Sequence, residues 1–137
     1  MKKLFVLFIS LVTFSCSISD DSPRYFQEFL PIETAFLPEE FVLDETYEIT
    51  VAYTNPTTCH FFNDIFHIRE DNEISVAVNS TKYQSQSNGD CTASDAEMEA
   101  TFSFTPTELG TYVFKFWQGR GDDGETVYLT IEVPVAE

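Results

Sequence analysis

The stretch FTPTELGTYVFKF, residues 104–116, carries the strongest signals for secondary structure in this chain. Thr105-Pro106 is expected to end the strand before it, because proline has no backbone N–H to give to a sheet. After Gly110, aromatic side chains recur at every second position, at Tyr112, Phe114 and Phe116. A period of two with one aromatic side is typical of a strand with one buried face. The stretch therefore predicts a strand, a corner and a second strand.

The same period of two continues on both sides of this corner. It is clear over residues 46–54, 74–78, 98–104 and 126–133, and weaker over residues 35–42 and 61–68. Eleven phenylalanines, six tyrosines and one tryptophan lie beyond residue 15, and aromatic residues favour strands. We therefore expect an all-β domain over residues 33–137, a two-sheet sandwich of about seven strands, in which Asn55-Pro56 ends the strand at residues 46–54.

The corner also resembles a known family. Leu109, Gly110 and Tyr112 are similar to the residues before the sixth strand of immunoglobulin-like domains, where the tyrosine hydroxyl hydrogen-bonds to the upstream backbone. Phe114 stands where antibody-type domains have their second core cysteine, so no disulfide between the sheets is expected there. The resemblance implies a bacterial immunoglobulin-like module, a fold that serves adhesion, spacing and ligand binding alike.

The amino terminus has the features of an export signal. Lys2 and Lys3 precede an apolar run over residues 4–14, which is shorter than the roughly 20 residues of a spanning helix. The sequence VTFSC, residues 12–16, resembles a bacterial lipobox, which implies a signal peptide over residues 1–15 and lipidation of Cys16. An ordinary secretory peptide is the alternative.

A polar segment follows the predicted anchor. The tract SISDDS, residues 17–22, resembles the one that follows the anchor in surface-exposed lipoproteins of Bacteroidetes-type bacteria. The same composition also suits a simple polar tether. We therefore expect residues 16–32 to anchor and tether the domain at the cell outer membrane, with the bilayer as a partner through the lipid.

The charge of the chain excludes one class of partner. Removal of residues 1–15 takes away two lysines and no acid, which moves the formal net charge from −16 to −18. Nucleic acid binding requires basic surface, so no nucleic acid partner is expected. An acidic surface suits a cationic ligand or calcium, and it also serves simple solubility.

Two cysteines remain beyond Cys16. In an exported chain, Cys59 and Cys91 are expected to form a disulfide between two turn-rich segments. A metal site with His60 and His67 is the alternative. On a regular strand these two histidines would point to opposite faces, and their spacing matches no usual zinc motif.

Motifs for catalysis are missing from the sequence. The chain has no G-x-S-x-G, no H-E-x-x-H and no phosphate-binding glycine-rich loop. A pair of carboxylates could still serve a small extracytoplasmic hydrolase that cleaves glycosides, which is the alternative function. We expect instead a non-catalytic surface interaction or structural module that needs no cofactor.

The final two strands carry the candidate ligand site. If Phe116 pairs with Val127, then Trp117, Tyr128 and Lys115 share the outward face as an aromatic platform. Such a platform suits a sugar ring or a side chain of an envelope protein. The alternative is that another strand, a loop or the amino-terminal segment covers it.

The hairpin tip, GRGDDGE at residues 119–125, offers a second candidate. Arg120-Gly121-Asp122 spells the integrin tripeptide, which a turn rich in glycine and aspartate also contains by chance. Asp122, Asp123 and Glu125 could contribute oxygens to a calcium ion, which takes six to eight. A solvated turn is the simplest interpretation.

Overall fold

The computed structural model describes residues 24–84 and 89–137. Cys16, the predicted signal peptide and the serine–aspartate tract lie outside these residues. No helix in the described ranges is long and apolar enough to cross a membrane. The described residues form nine strands: β1 (Tyr25–Leu30), β2 (Ile32–Phe36), β3 (Phe41–Val42), β4 (Tyr47–Thr57), β5 (His60–Glu70), β6 (Glu73–Tyr83), β7 (Ala93–Phe104), β8 (Gly110–Arg120) and β9 (Thr126–Ala136).

The nine strands form two sheets, which confirms the predicted all-β sandwich. The smaller sheet has the order β2-β4-β7. In the larger sheet, β6 pairs with β5 along one edge and with both β1 and β8 along the other. Beyond β8 the sheet continues with β9 and then β3. The pairs β3–β9 and β6–β8 are parallel, and the other pairs are antiparallel. In immunoglobulin domains the strand after the tyrosine corner pairs with the third strand; here β8 pairs with β6, the second strand of the β5–β6 hairpin.

The domain begins earlier than the predicted residue 33. β1 lies within the segment expected to be a tether, and all six of its residues pair with β6. Its sequence YFQEFL shows no regular alternation, and only Leu30 is buried. The weak segment at 35–42 is divided between β2 and β3, with Pro38 in the interval. These two differences raise the strand count from seven to nine.

The strand predicted at residues 46–54 continues past its expected end. β4 includes Asn55-Pro56 and runs to Thr57, with a register shift between Asn55 and Thr57. Proline is tolerated there because a bulge does not need its missing N–H. The predicted stop at Thr105-Pro106 is confirmed, since β7 ends at Phe104.

The core lies between the sheets and is rich in aromatic rings. Tyr112, Phe114 and Phe116 have 0% of their surface exposed, as the alternation predicted. Phe41 also has 0% exposed, and its ring lies 4.9–6.4 Å from four aromatic neighbours. Burial raises the pKa of the Tyr53 phenol above its ordinary value of 10. Because the unfolded chain then loses this proton at a lower pH than the folded chain, the free energy of unfolding falls as the pH rises past 10.

The tyrosine corner forms as the resemblance implied. The Tyr112 hydroxyl oxygen accepts hydrogen bonds from the backbone N–H groups of Thr107 and Glu108, both at 3.1 Å. The Arg69 guanidinium donates to the same oxygen at 2.7 Å. Gly110 has a φ of 117°, and a Cβ there would come within 3.2 Å of the Asn72 side chain, so this position favours glycine. The corner therefore fixes the start of β8.

The predicted disulfide between Cys59 and Cys91 is confirmed. The two Cα atoms are 5.4 Å apart across a sequence separation of 32. The bond joins the turn between β4 and β5 to the segment that precedes β7. Both positions are thereby tied to the end of β6, because the backbone N–H of Tyr83 donates to the Cys59 carbonyl at 3.0 Å.

Candidate ligand-binding face

The outward face of the larger sheet carries the three predicted ligand residues. Phe116 pairs with Leu129, so Trp117 lies opposite Tyr128 and Lys115 opposite Thr130. The expected pairing of Phe116 with Val127 is wrong by two residues, an offset that leaves each side chain on the face expected for it. All three side chains still share the outward face. The Lys115 amine lies 5.0 Å from the centre of the Tyr128 ring and 3.4 Å from a Glu73 carboxylate oxygen.

Trp117 and Tyr128 form one side of an aromatic groove of about 300 Å³. Its other walls are Phe29 on β1 and Phe66 and Ile68 on β5, and its floor is β6. The groove exists because β6 presents small outward side chains, Ser75 and Ala77, between strands that present large ones. The centres of the Phe29 and Phe66 rings are 5.6 Å apart.

The groove is open to solvent although its walls are apolar. Phe29, Phe66 and Ile68 keep 44–48% of their surface exposed, and Tyr128 keeps 39%. Trp117 is half-buried, because the edge of its ring system packs against Phe29 with 6.1 Å between centroids. The amino-terminal strand therefore covers part of the predicted platform and leaves the rest accessible.

The β1 and β5 walls of this groove were not predicted from the sequence. Phe29 falls in the segment expected to be a tether, and Phe66 and Ile68 fall in a strand with a weak signal. Their participation depends on β1 and β5 both pairing with β6. Such long-range pairing leaves no local pattern. The sequence does offer one signal for the β5 wall, namely the unusual density of aromatic residues around residues 61–66.

The outward face of the smaller sheet has the opposite character. Threonines and glutamates project from β4 and β7, and neighbouring pairs include Thr54 with Glu97 and Ala52 with Glu99. Side chains hydrogen-bond along this face, as between Thr50 and Thr101 at 3.2 Å. This is the ordinary pattern of a sheet face in water. The aromatic groove is therefore a special feature of the larger sheet and not a general property of the surface.

The two histidines lie on the same side of β5, which corrects the sequence prediction. The register shift between Phe62 and Asp64 adds one residue and reverses the alternation. Buried His60 has Nε2 2.9 Å from a Glu28 carboxylate oxygen and Nδ1 2.7 Å from the Thr57 hydroxyl. His67 stacks on Phe102 at 5.7 Å. Within residues 24–84 and 89–137, no three His, Cys, Asp or Glu side chains come together to hold a metal ion.

The hydrogen bonds that link Thr57, His60 and Glu28 stabilise the turn between β4 and β5. The Thr57 hydroxyl oxygen accepts a hydrogen bond from the Cys59 backbone N–H at 3.1 Å, and His60 has 3% of its surface exposed. A nucleophile needs access to substrate, and this arrangement holds the hydroxyl against its own backbone. These hydrogen bonds therefore connect β1 to the disulfide-bonded turn.

The hairpin tip forms a turn held by its own hydrogen bonds. Asp123 accepts a hydrogen bond from the Glu125 backbone N–H at 3.0 Å, and the Arg120 guanidinium donates to the Gly124 carbonyl at 3.3 Å. Asp122, Asp123 and Glu125 do not converge into a group that could hold a metal ion. No preformed carboxylate cluster in the described residues therefore supports the calcium prediction.

Comparisons of the chain with protein families, with curated proteins and with solved structures find no match.

Proposed function

We propose that this domain is a non-catalytic interaction module of the cell envelope, which binds a partner in the aromatic groove. The observation that supports this function is the contrast between the two outward faces. In the smaller sheet β4 and β7 present mainly threonine and glutamate to water, with Phe36 of β2 the exposed aromatic residue, whereas the larger sheet presents Phe29, Phe66, Trp117 and Tyr128 around a concave surface. Exposed, contiguous apolar surface of this kind marks interaction sites.

The lining of the groove favours an apolar side chain of a partner protein over a sugar. Among the lining residues, Ser75 and Tyr128 offer hydroxyl groups and Trp117 an indole N–H, and the remaining side chains are purely apolar. Lys115 lies beside the groove, where its amine is already close to Glu73. A sugar ring needs several hydrogen-bonding partners for its hydroxyls, whereas an aromatic or aliphatic side chain gains mainly from contact with the rings.

The hydrolase alternative has no specific observation in its favour. Glu97 and Glu99 project from a sheet face that is polar and typical of a solvated surface. Both histidines already have partners: His60 contacts Glu28 and Thr57, and His67 stacks on Phe102. We therefore keep binding as the proposed function.

Replacement of Trp117 by alanine is expected to weaken partner binding by about 2 kcal/mol or more, as for an interfacial hot spot. Because Trp117 is half-buried, the free energy of unfolding should fall by less than the roughly 3–5 kcal/mol lost with a fully buried aromatic residue. The measurement is photo-crosslinking in envelope extracts from a benzophenone side chain at position 128, with and without Trp117→Ala, beside a melting curve.

Position 36 provides the matched control. Phe36 is 57% exposed on the outward face of the smaller sheet, so a benzophenone there tests whether any exposed aromatic position captures the same protein. Equal capture from positions 36 and 128 would contradict the proposal. A glycan array that shows binding dependent on Trp117 would keep the groove and replace the partner side chain with a sugar.

The envelope location is proposed from the lipobox-like sequence at residues 12–16. Replacement of Cys16 by alanine is expected to abolish lipid attachment and release the chain from the membrane fraction, because the acylated thiol is lost. Metabolic labelling with a fatty acid measures this. Ser17→Ala, one residue along, is the control that should keep the label. Undiminished label in the Cys16 variant would refute the anchor.

A further inference from the structure

A second surface lies at the edge of the larger sheet. In the described part of the chain, the eleven residues of β5 pair only with β6. The opposite edge of β5 therefore presents backbone N–H and C=O groups that have no strand beside them. Such an edge is a template for pairing with another extended chain. Its one register shift lies between Phe62 and Asp64, and the ladder is regular from Asp64 to Glu70.

β5 carries five large apolar side chains, which project to both sides of the sheet. Phe61, Phe66 and Ile68 project outward, and Phe62 and Ile65 project toward the smaller sheet. Phe61, Phe62, Phe66 and Ile68 keep 46–50% of their surface exposed. Apolar residues on both sides are typical of a strand with neighbours and covered faces, not of an edge in water.

The flank beside β5 leaves part of the core uncovered. β7 is the facing edge of the smaller sheet, and there Met98 is 38% exposed. A cleft of about 160 Å³ opens between the two edges, lined in part by His67, Phe102 and Phe104. A strand added to β5 would direct every second side chain over this cleft. Those side chains would be apolar, because they would cover Ile65 on β5 and the cleft residues Phe102 and Phe104.

The remaining side chains of an added strand would meet acidic residues. Asp64 and Glu70 project outward from β5 on the same side as Phe66 and Ile68. Arg69 projects inward, where its guanidinium donates to the hydroxyls of Tyr112 and Thr107. The chain as a whole has a formal net charge of −16, which disfavours a second copy and favours a basic partner.

We propose that the free edge of β5 accepts an extended segment of a partner protein in which apolar and basic residues alternate. The main-chain groups of that segment hydrogen-bond to residues 64–70, as in other strand-addition complexes. Its apolar side chains cover the cleft between β5 and β7. Its basic side chains lie along Phe66 and Ile68 and reach Asp64 and Glu70. This surface shares the Phe66 and Ile68 side chains with the groove but binds through the backbone edge of β5, so its existence does not depend on the proposed function.

A ten-residue peptide of alternating valine and lysine tests this proposal on the full chain. Amide hydrogen exchange, read residue by residue, is expected to slow at alternate positions of 64–70 when the peptide binds. The same peptide N-methylated at alternate residues cannot pair along its backbone, and a peptide with glutamate in place of lysine has the wrong charge. Each is expected to bind at least about tenfold more weakly, a factor that corresponds to 1.4 kcal/mol.

Two variants of the chain complete the test. Ile65→Lys places a charge on the inward side of the pairing segment and is expected to weaken peptide binding at least about tenfold. Thr101→Lys adds the same charge on the polar face of the smaller sheet and should bind the peptide as the parent chain does. Melting curves must show both variants folded; because the modified peptides act on the unaltered chain, they decide the matter if Ile65→Lys does not fold.

Four results would overturn the proposal. They are equal binding of the N-methylated peptide, equal binding of the glutamate peptide, protection in the free monomeric chain of those amides of residues 64–70 that do not donate to β6, and a concentration-dependent dimer that protects the same amides. The third result would assign the edge to another segment of this chain, and the fourth would assign it to a second copy.

Discussion

Replacement of Phe114 by alanine is expected to lower the free energy of unfolding by about 3–5 kcal/mol, the usual cost of truncating a buried phenylalanine. The Phe114 side chain has no exposed surface, and its ring lies 5.1 Å from Phe104 and 6.0 Å from both Phe41 and Phe116. These rings belong to β3, β7 and β8, so the cavity would open between the two sheets. Denaturant unfolding followed by fluorescence and circular dichroism measures the loss.

Phe36 supplies the matched control for this substitution. Its side chain is 57% exposed, so Phe36→Ala removes the same atoms and should change stability by less than about 0.5 kcal/mol, as surface substitutions usually do. A similar loss in both variants would mean that Phe114 does not sit in the centre of the core. Complete failure of Phe114→Ala to fold would agree with the expected direction, and Phe114→Leu would then provide the measurable intermediate.

Loss of the Cys59–Cys91 disulfide is expected to lower the free energy of unfolding by about 3–4 kcal/mol, because the bond restricts the conformational freedom of the unfolded chain. The separation of 32 residues sets this magnitude. The bond also holds Cys59 in a fully buried position beside His60, so replacement of both cysteines by alanine removes packing as well. Thermal unfolding of the oxidised chain, the reduced chain and the Cys59→Ala/Cys91→Ala variant separates the two contributions.

The disulfide prediction includes a local consequence. The turn between β4 and β5 is tied to the segment before β7 by the bond and by the hydrogen bond from the Thr58 N–H to the Thr92 carbonyl at 2.9 Å. After reduction, hydrogen exchange should therefore rise first in this region, before β8 exchanges. A reduced chain with the stability of the oxidised chain would contradict the expected contribution of the bond.

The sequence predicted the strands whose alternation is created by the core. Tyr112, Phe114 and Phe116 face inward because β8 lies in the interior of the larger sheet, with a covered face on one side only. The residues of the tyrosine corner were also found, since glycine and tyrosine at fixed spacing are a local signal. These features depend on chain geometry over a few residues, which a sequence shows directly.

The parts that the sequence did not predict depend on distant pairing. β1 has no clean alternation, so its place beside β6 could not be seen from residues 25–30 alone. The extra residue in β5 reversed the orientation expected for His67 relative to His60. The candidate groove needed both strands in place, and for that reason only its Trp117 and Tyr128 side was predicted.

The position of β6 has a consequence for the order in which the domain folds. β6 pairs with β1, β5 and β8, and only the pairing with β5 is closed by a short turn, at Asp71 and Asn72. The β5–β6 and β8–β9 hairpins can form locally, whereas the parallel ladder between β6 and β8 joins residue 73 to residue 113. Non-local pairing is slow because the loop must close before any contact is gained. Docking of the two hairpins is therefore expected to limit the folding rate, and β1 is expected to add to β6 after that step.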